Sequence, residues 1–296
     1  MGIIIDPSLI DHRSNEHDGY PEELQAGDTF DVLWDVCGSA SRAFPDHLWI
    51  EKESDRIAQA KLNDLNKTWG RFYIDRFTNQ NPTHECTCHA LRTVAEGCWN
   101  RQRGIIFPDG PKKDFRYEES SRGSIWLSPL SIYAEANPRQ WGGASCRQVL
   151  EIAIRRGFLP DKIQPADYKF KHTLQGTTGK GGKNQSSGDW LRVSQFPDGW
   201  EETAKFLRPQ EVIITSNWEQ AKCLLLAGYI LEGGRDGHAI PYSFWDWEND
   251  LYGYIDSYDV IRYDTPARFR RAVASSVYTI ASMTLPDDSW LTPAMT

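Results

Sequence analysis

The 296-residue chain has no apolar run approaching the roughly 18 residues that a bilayer-crossing helix needs, so no membrane span is expected. A basic stripe is lacking too. Lys and Arg number 33 against 41 Asp and Glu, and a net charge of −8 argues against nucleic acid or anionic lipid as the main partner. The densest basic run, "RFRR" at 268–271, falls in a helix-like segment and reads as a solvated face. The opening stretch "MGIIIDPSLIDH" has neither the basic start nor the apolar core of a signal peptide, and Asp6 breaks the myristoylation pattern. Six cysteines spread along a long chain without an export signal point to reduced thiols. A soluble protein, cytoplasmic as made, is the expectation. No internal repeat is visible. The glycines of "HTLQGTTGKGGKNQSSGDW" (172–190) do not make a phosphate loop, because Gly182 stands where the lysine is needed and no apolar strand precedes.

What is present is a large apolar and aromatic load, 40% hydrophobic residues with 12 Trp, enough for a sizeable core. Residues 1–50 are rich in Asp, Pro, Gly and His and read as an irregular arm. "SDRIAQAKLNDLNKTWG" (54–70) reads as a helix with a narrow apolar stripe. In "NQNPTHECTCHALRTVAEG" (79–97), turn formers give way near Glu85–Cys86 to Ala90, Leu91, Val94, Ala95 and Cys98, the pattern of a helix with one buried face. On that pattern His89 is a helix-surface residue, and Cys88, Cys98 and Cys223 are small core residues. Ser128 with Pro129, Ser145 with Gln148 and Gly157, and Ser216 with Glu219 and Gly228 mark three further helices. After Gly228 the period falls to two, in "YILEGG", "HAIPYSFWDW", "LYGYIDSYDV" and "VIRYD". Helices in the first half and strands in the second predict an α+β fold. The expected organisation is an N-terminal arm and helix (1–70) and a main domain (71–296). The latter has a helical lobe at about 80–160, an exposed insert at 172–190 and a β-rich lobe at about 205–296.

A thiol becomes a nucleophile as the thiolate, and the unpaired N–H groups of a helix start favour that state. Cys86 lies at such a start; Cys88, two residues on, faces away. The base that a cysteine nucleophile requires is available in His238, within "GGRDGHAIPYS", and Asp256 in "YIDSYD" ends a strand that neighbours it. Gln80, in the turn before Cys86, can supply a side-chain amide to an oxyanion. The chemical alternative takes His84, Cys86, Cys88 and His89 as zinc ligands. Four ligands within six residues, half of them helical, converge poorly on one ion, so no metal or cofactor is expected.

At these residues the chain resembles the papain-like cysteine peptidases. Gln80 and Cys86 stand at the family spacing, "LSPLSIYAEA" is similar to the family's second helix, and "QWGGASC" offers Gly142 and Gly143 where paired glycines bind substrate backbone. "GHAI" presents His238 in its usual setting, and Asp256 and Tyr258 take the Asn and Trp positions of the Asn-Ser-Trp segment. The run Cys86-Thr87-x-x-Ala90-Leu91 is more similar to bacterial and phage-encoded members. The resemblance, over roughly 72–265, implies a two-lobed fold with Cys86 on a helical lobe and His238 on a β-rich lobe. It also implies hydrolysis of a polypeptide through Cys86, His238 and Asp256, with Gln80 in the oxyanion hole. Tyr258, Gly142 and Gly143 would meet substrate, though the two glycines can also be read as a turn into the next helix.

Two departures bear on activity. Asp at 256 should raise the His238 pKa and favour a thiolate–imidazolium pair. Glu85, where the family has a small residue, sets a carboxylate beside the thiol and opposes its ionisation. The competing expectation is a papain-like domain with a structural or binding role, as in a phage virion, gripping neighbouring subunits through the 1–50 arm.

Overall fold

The computed structural model describes residues 44–80, 85–113, 123–136, 144–161, 163 and 192–285, with the backbone of a short strand β1, Ser41–Arg42. Most of the 1–50 arm, the 172–190 insert, His84, Gly142 and Gly143 lie outside the described residues.

The central element of the first lobe is α2, Cys86–Gln102. A single buried face was expected for it, but every residue from Cys86 to Asn100 is buried, including Arg92, Glu96 and His89. His89 is therefore not a surface residue: it is 1% exposed. The reason is tertiary. One side of α2 packs on α3 (Leu130–Ala136) and α4 (Cys146–Arg156), while the other is covered by strands of the second lobe. Gly97 permits that closeness, since a Cβ there would lie 2.6 Å from Ile230 Cδ1. The polar residues thus enclosed are paired. Arg76 lies 3.6 Å from both Glu96 and Asp161, Arg92 lies 3.7 Å from Glu96, and Glu96 Oε1 accepts the Leu127 N–H at 2.7 Å.

Local capping explains the flanking helices. Ser145 Oγ accepts the Gln148 N–H and Gly157, at φ +88°, ends α4, as the sequence predicts. The Gln148 side chain donates to the Ala136 carbonyl at 2.6 Å and so ties α4 to the end of the preceding helix. Helix α3 begins at Leu130, one residue later than expected, behind a strand β2 (Leu127–Ser128) that pairs with β3 (Leu159–Pro160). The first helix, α1 (Glu53–Asn66), stops at Lys67 in the left-handed region and packs its buried face against α6 (Trp218–Leu226). The cap of α6 is Asn217 and not Ser216; its Oδ1 accepts from the N–H groups of Glu219 and Gln220. Between these lies α5, Trp200–Lys205.

Among the described residues the second lobe carries a seven-stranded sheet in the order β1-β4-β9-β5-β6-β7-β8. It comprises β4 (Pro209–Thr215), β5 (Leu231–Arg235), β6 (His238–Asp246), β7 (Leu251–Asp256), β8 (Val260–Asp264) and β9 (Val277–Met283). Neighbours run antiparallel except β1 beside β4. A helix α7, Pro266–Ala274, capped by Thr265, lies against it. Its outer residues Arg270 and Arg271 are exposed, as expected of the "RFRR" run. Aromatic rings fill this lobe: Phe269 stacks on Tyr252 at 4.1 Å and meets Tyr242 edge-on at 4.8 Å. No helix among the described residues is long and apolar enough to cross a membrane.

Candidate active site

Cys86 is the first residue of α2, and Glu85 before it makes no side-chain cap bond, so the helix start is left without a side-chain acceptor from its own N-cap. Opposite stands His238, first residue of β6. Its position follows from the turn before it. Asp236 and Gly237 take φ +51° and +73°, the two-residue hairpin for which Asp-Gly is a strong signal, and this turn delivers His238 directly to the seam between the lobes. Asp256 closes β7, the neighbouring strand.

His238 Nε2 lies 2.9 Å from Asp256 Oδ1, and the same side chain is hydrogen-bonded to that of Cys86. Burial alone would lower the His238 pKa. The hydrogen bonds to Asp256 and Cys86 and the charges of both outweigh it and push the value up to about 9. The raised value favours the imidazolium form of the ring. The other oxygen of Asp256, Oδ2, accepts from Arg262 Nε at 2.8 Å. Tyr258 stacks on His238 with ring centroids 5.7 Å apart and planes at 28°.

The approach to Cys86 is stitched to the same region. The Gln80 N–H donates to the Ser257 carbonyl at 2.9 Å, and the Asp259 N–H donates to the Thr78 carbonyl at 3.3 Å. Ser257 Oγ donates to Gln80 Oε1, and Gln80 Nε2 donates to the Tyr258 hydroxyl at 3.3 Å.

The remaining described cysteines have different surroundings. Burial raises the Cys88 thiol well above its usual range, with Glu85 adding to the effect, and burial pushes Cys98 up to about 12. Cys223 is likewise raised by burial. These are core thiols, as expected. Cys146 is half-buried and packs against the cluster of Cys86, Ala90 and Ala239.

Sequence reasoning missed three residues here. Arg262 and Cys146 carry no local signal of their role. Glu232 on β5 is wholly buried near Cys86; burial, with a contribution from the Cys86 charge, holds its carboxyl well above the carboxylate range. The buried position of His89 was missed as well.

No protein-family model matches the chain, and comparison with curated proteins returns no match. Solved structures do match. Xylellain, a cysteine protease from Xylella fastidiosa, is similar at a TM-score of 0.53 and 13% identity, over 93% of this chain and 99% of that one. Procathepsin B S9 from Trypanosoma congolense has a TM-score of 0.53 at 6% identity, covering 92% and 87%. Digestive procathepsin L 3 from the larval midgut of Tenebrio molitor has a TM-score of 0.50 at 8% identity, covering 86% and 78%. At such identities the likeness concerns the fold. The chain has the two-lobed α+β fold of the papain-like cysteine proteases, with Cys86 on the helical lobe and His238 on the β-rich one.

Proposed function

We propose that the chain is a cysteine peptidase acting on polypeptides. The observation that carries this reading is His238 bonded on one side to the Cys86 thiol and on the other to Asp256, across the seam of the two lobes. In the proposed reaction the Cys86 thiolate attacks the scissile carbonyl carbon. The oxyanion is met by the Cys86 backbone N–H and a Gln80 Nε2 hydrogen. His238 gives its proton to the leaving amine as the tetrahedral adduct collapses to a thioester. It then takes a proton from water as that water attacks the thioester, and Cys86 is released. Asp256 holds the ring and stabilises its charged form, and Tyr258 shields the pair. Gly142 and Gly143 are proposed to bind substrate backbone.

The Cys86-Thr87-x-x-Ala90-Leu91 run supports a bacterial or phage-like affinity as part of this proposal. The test is hydrolysis of a mixed peptide library by the wild type and by Cys86→Ala. Loss of cleavage in the variant supports the reading. A wild-type protein that cleaves nothing while Cys86 still takes a thiol-directed epoxide favours a binding role, as in a virion, over turnover.

A further inference from the structure

Glu85, the residue before Cys86, is 0% exposed. A buried carboxylate beside a thiol both costs desolvation and opposes thiol ionisation, so its partner matters. One helical turn on, His89 Nε2 lies 3.5 Å from Glu85 Oε2, and His89 Nδ1 lies 3.1 Å from Thr78 Oγ1. Nε2 thus faces a carboxylate oxygen in an ion contact short of a formed hydrogen bond, and Nδ1 faces a hydroxyl oxygen that can accept, an arrangement compatible with the two N–H donors of an imidazolium. Titratable groups close to the pair include Cys86 and Cys88 on α2 itself, Tyr133 from α3 and Glu232 from β5, with His238 on the far side of Cys86. Thr78 in turn belongs to the 78–80 segment that pairs with 257–259, next to Asp256 and Tyr258.

We propose that His89 is a positioning residue for the nucleophile: clamped between Glu85 and Thr78 as an imidazolium, it cancels the Glu85 charge beside Cys86 and ties the start of α2 to the segment holding the Ser257–Asp259 turn. This rests on the reading of Cys86 as the nucleophile. Glu85 and His89 then act as a neutral unit, and the thiolate forms beside His238 without a second negative charge next to it.

The test is the pH dependence of Cys86 alkylation by iodoacetamide, which needs no peptide substrate. His89→Gln keeps a polar side chain but removes the charge. The acidic limb of its profile should move up by roughly one pH unit, about a tenfold slower reaction below the midpoint. Glu85→Gln combined with His89→Gln should return the limb to the wild-type position. A His89→Gln profile that overlays a normal wild-type one would overturn the inference alone. A wild-type protein whose Cys86 does not react would overturn the nucleophile reading and this inference with it. Should the variants not fold, the imidazole nitrogen resonances of the wild type decide. Doubly protonated His89 at neutral pH supports the proposal, and a neutral tautomer there contradicts it.

Discussion

Asp256 holds two partners at once: His238 Nε2 at 2.9 Å on one oxygen and Arg262 Nε at 2.8 Å on the other. A carboxylate bridged in this way cannot rotate without breaking a charge-assisted bond, so it fixes the plane of the imidazole as well as its charge. Arg262 also shares the negative charge that raises the His238 pKa. The bridge is thus a compromise between orientation and basicity.

Asp256→Asn removes the charge and, because its NH2 would face the Arg262 donor, the Arg262 bond, while keeping an acceptor for His238. Asparagine Oδ1 still accepts the His238 N–H, but the charge is gone, so the His238 pKa should fall from about 9 and the alkaline limb of kcat/KM should fall with it. The sign follows from the imidazolium being the working form, which exists below its pKa. A pH–rate profile of the variant checks this. Asp256→Ala should lose orientation as well, and Arg262→Met should cost about tenfold in kcat/KM, the equivalent of ~1.4 kcal/mol for one hydrogen bond to a charged group.

Tyr258 contributes a ring and a hydroxyl with different partners. Tyr258→Phe keeps the stack on His238 and removes the acceptor for Gln80, so hydrolysis should drop only a few-fold. Tyr258→Ala should drop it about tenfold, the rate equivalent of the ~0.5–1.5 kcal/mol that such a ring pair contributes. Steady-state kinetics of the two variants side by side would show whether that order holds.

The closeness of the lobes rests on Gly97. An alanine methyl there would meet Ile230 Cδ1 at 2.6 Å, so Gly97→Ala should destabilise by about 1–3 kcal/mol despite the better helix propensity of alanine. Ile230→Val removes the clashing methyl and should recover part of the loss in the double variant. Urea unfolding of the three proteins measures this, and additive losses would contradict the contact.

Asp75 offers a pH test of stability. Burial first, then the charge of Glu96, pushes its carboxyl up to about 6 from an ordinary 3.8, against the pull of Arg76 and a 2.6 Å bond from Trp126 Nε1. A raised folded-state pKa means the contribution is complete below the unfolded value and is lost as pH rises through the folded one. The protein should therefore lose on the order of 2 kcal/mol between about pH 4 and pH 6 from this group. Asp75→Asn, which can still accept from Trp126, should flatten that slope in thermal melts taken across the window.

What was legible in the sequence was local. Ser145 and Gly157 bound α4 because a hydroxyl acceptor and a left-handed glycine act within one turn. The start of α2 at Cys86 was readable because turn formers precede it. The neighbouring placement of His238 and Asp256 could be anticipated because two strands joined through a short turn must lie side by side. Ser216 and Asn217 are two good caps in succession, and only geometry selects Asn217. The burial of His89 and the reach of Arg262 and Glu232 depend on which surfaces the lobes press together. A helix whose polar face is covered by a distant sheet carries no mark of it in its own periodicity.

The central claim is the proposal that, among the described cysteines, Cys86 is the nucleophile and His238 activates it. Peptide mapping after limited reaction with a thiol-directed epoxide near neutral pH tests it most directly. The account predicts one label per chain, at Cys86, and its loss in His238→Ala. Labelling that spreads over other cysteines, or that persists at Cys86 without His238, would contradict it.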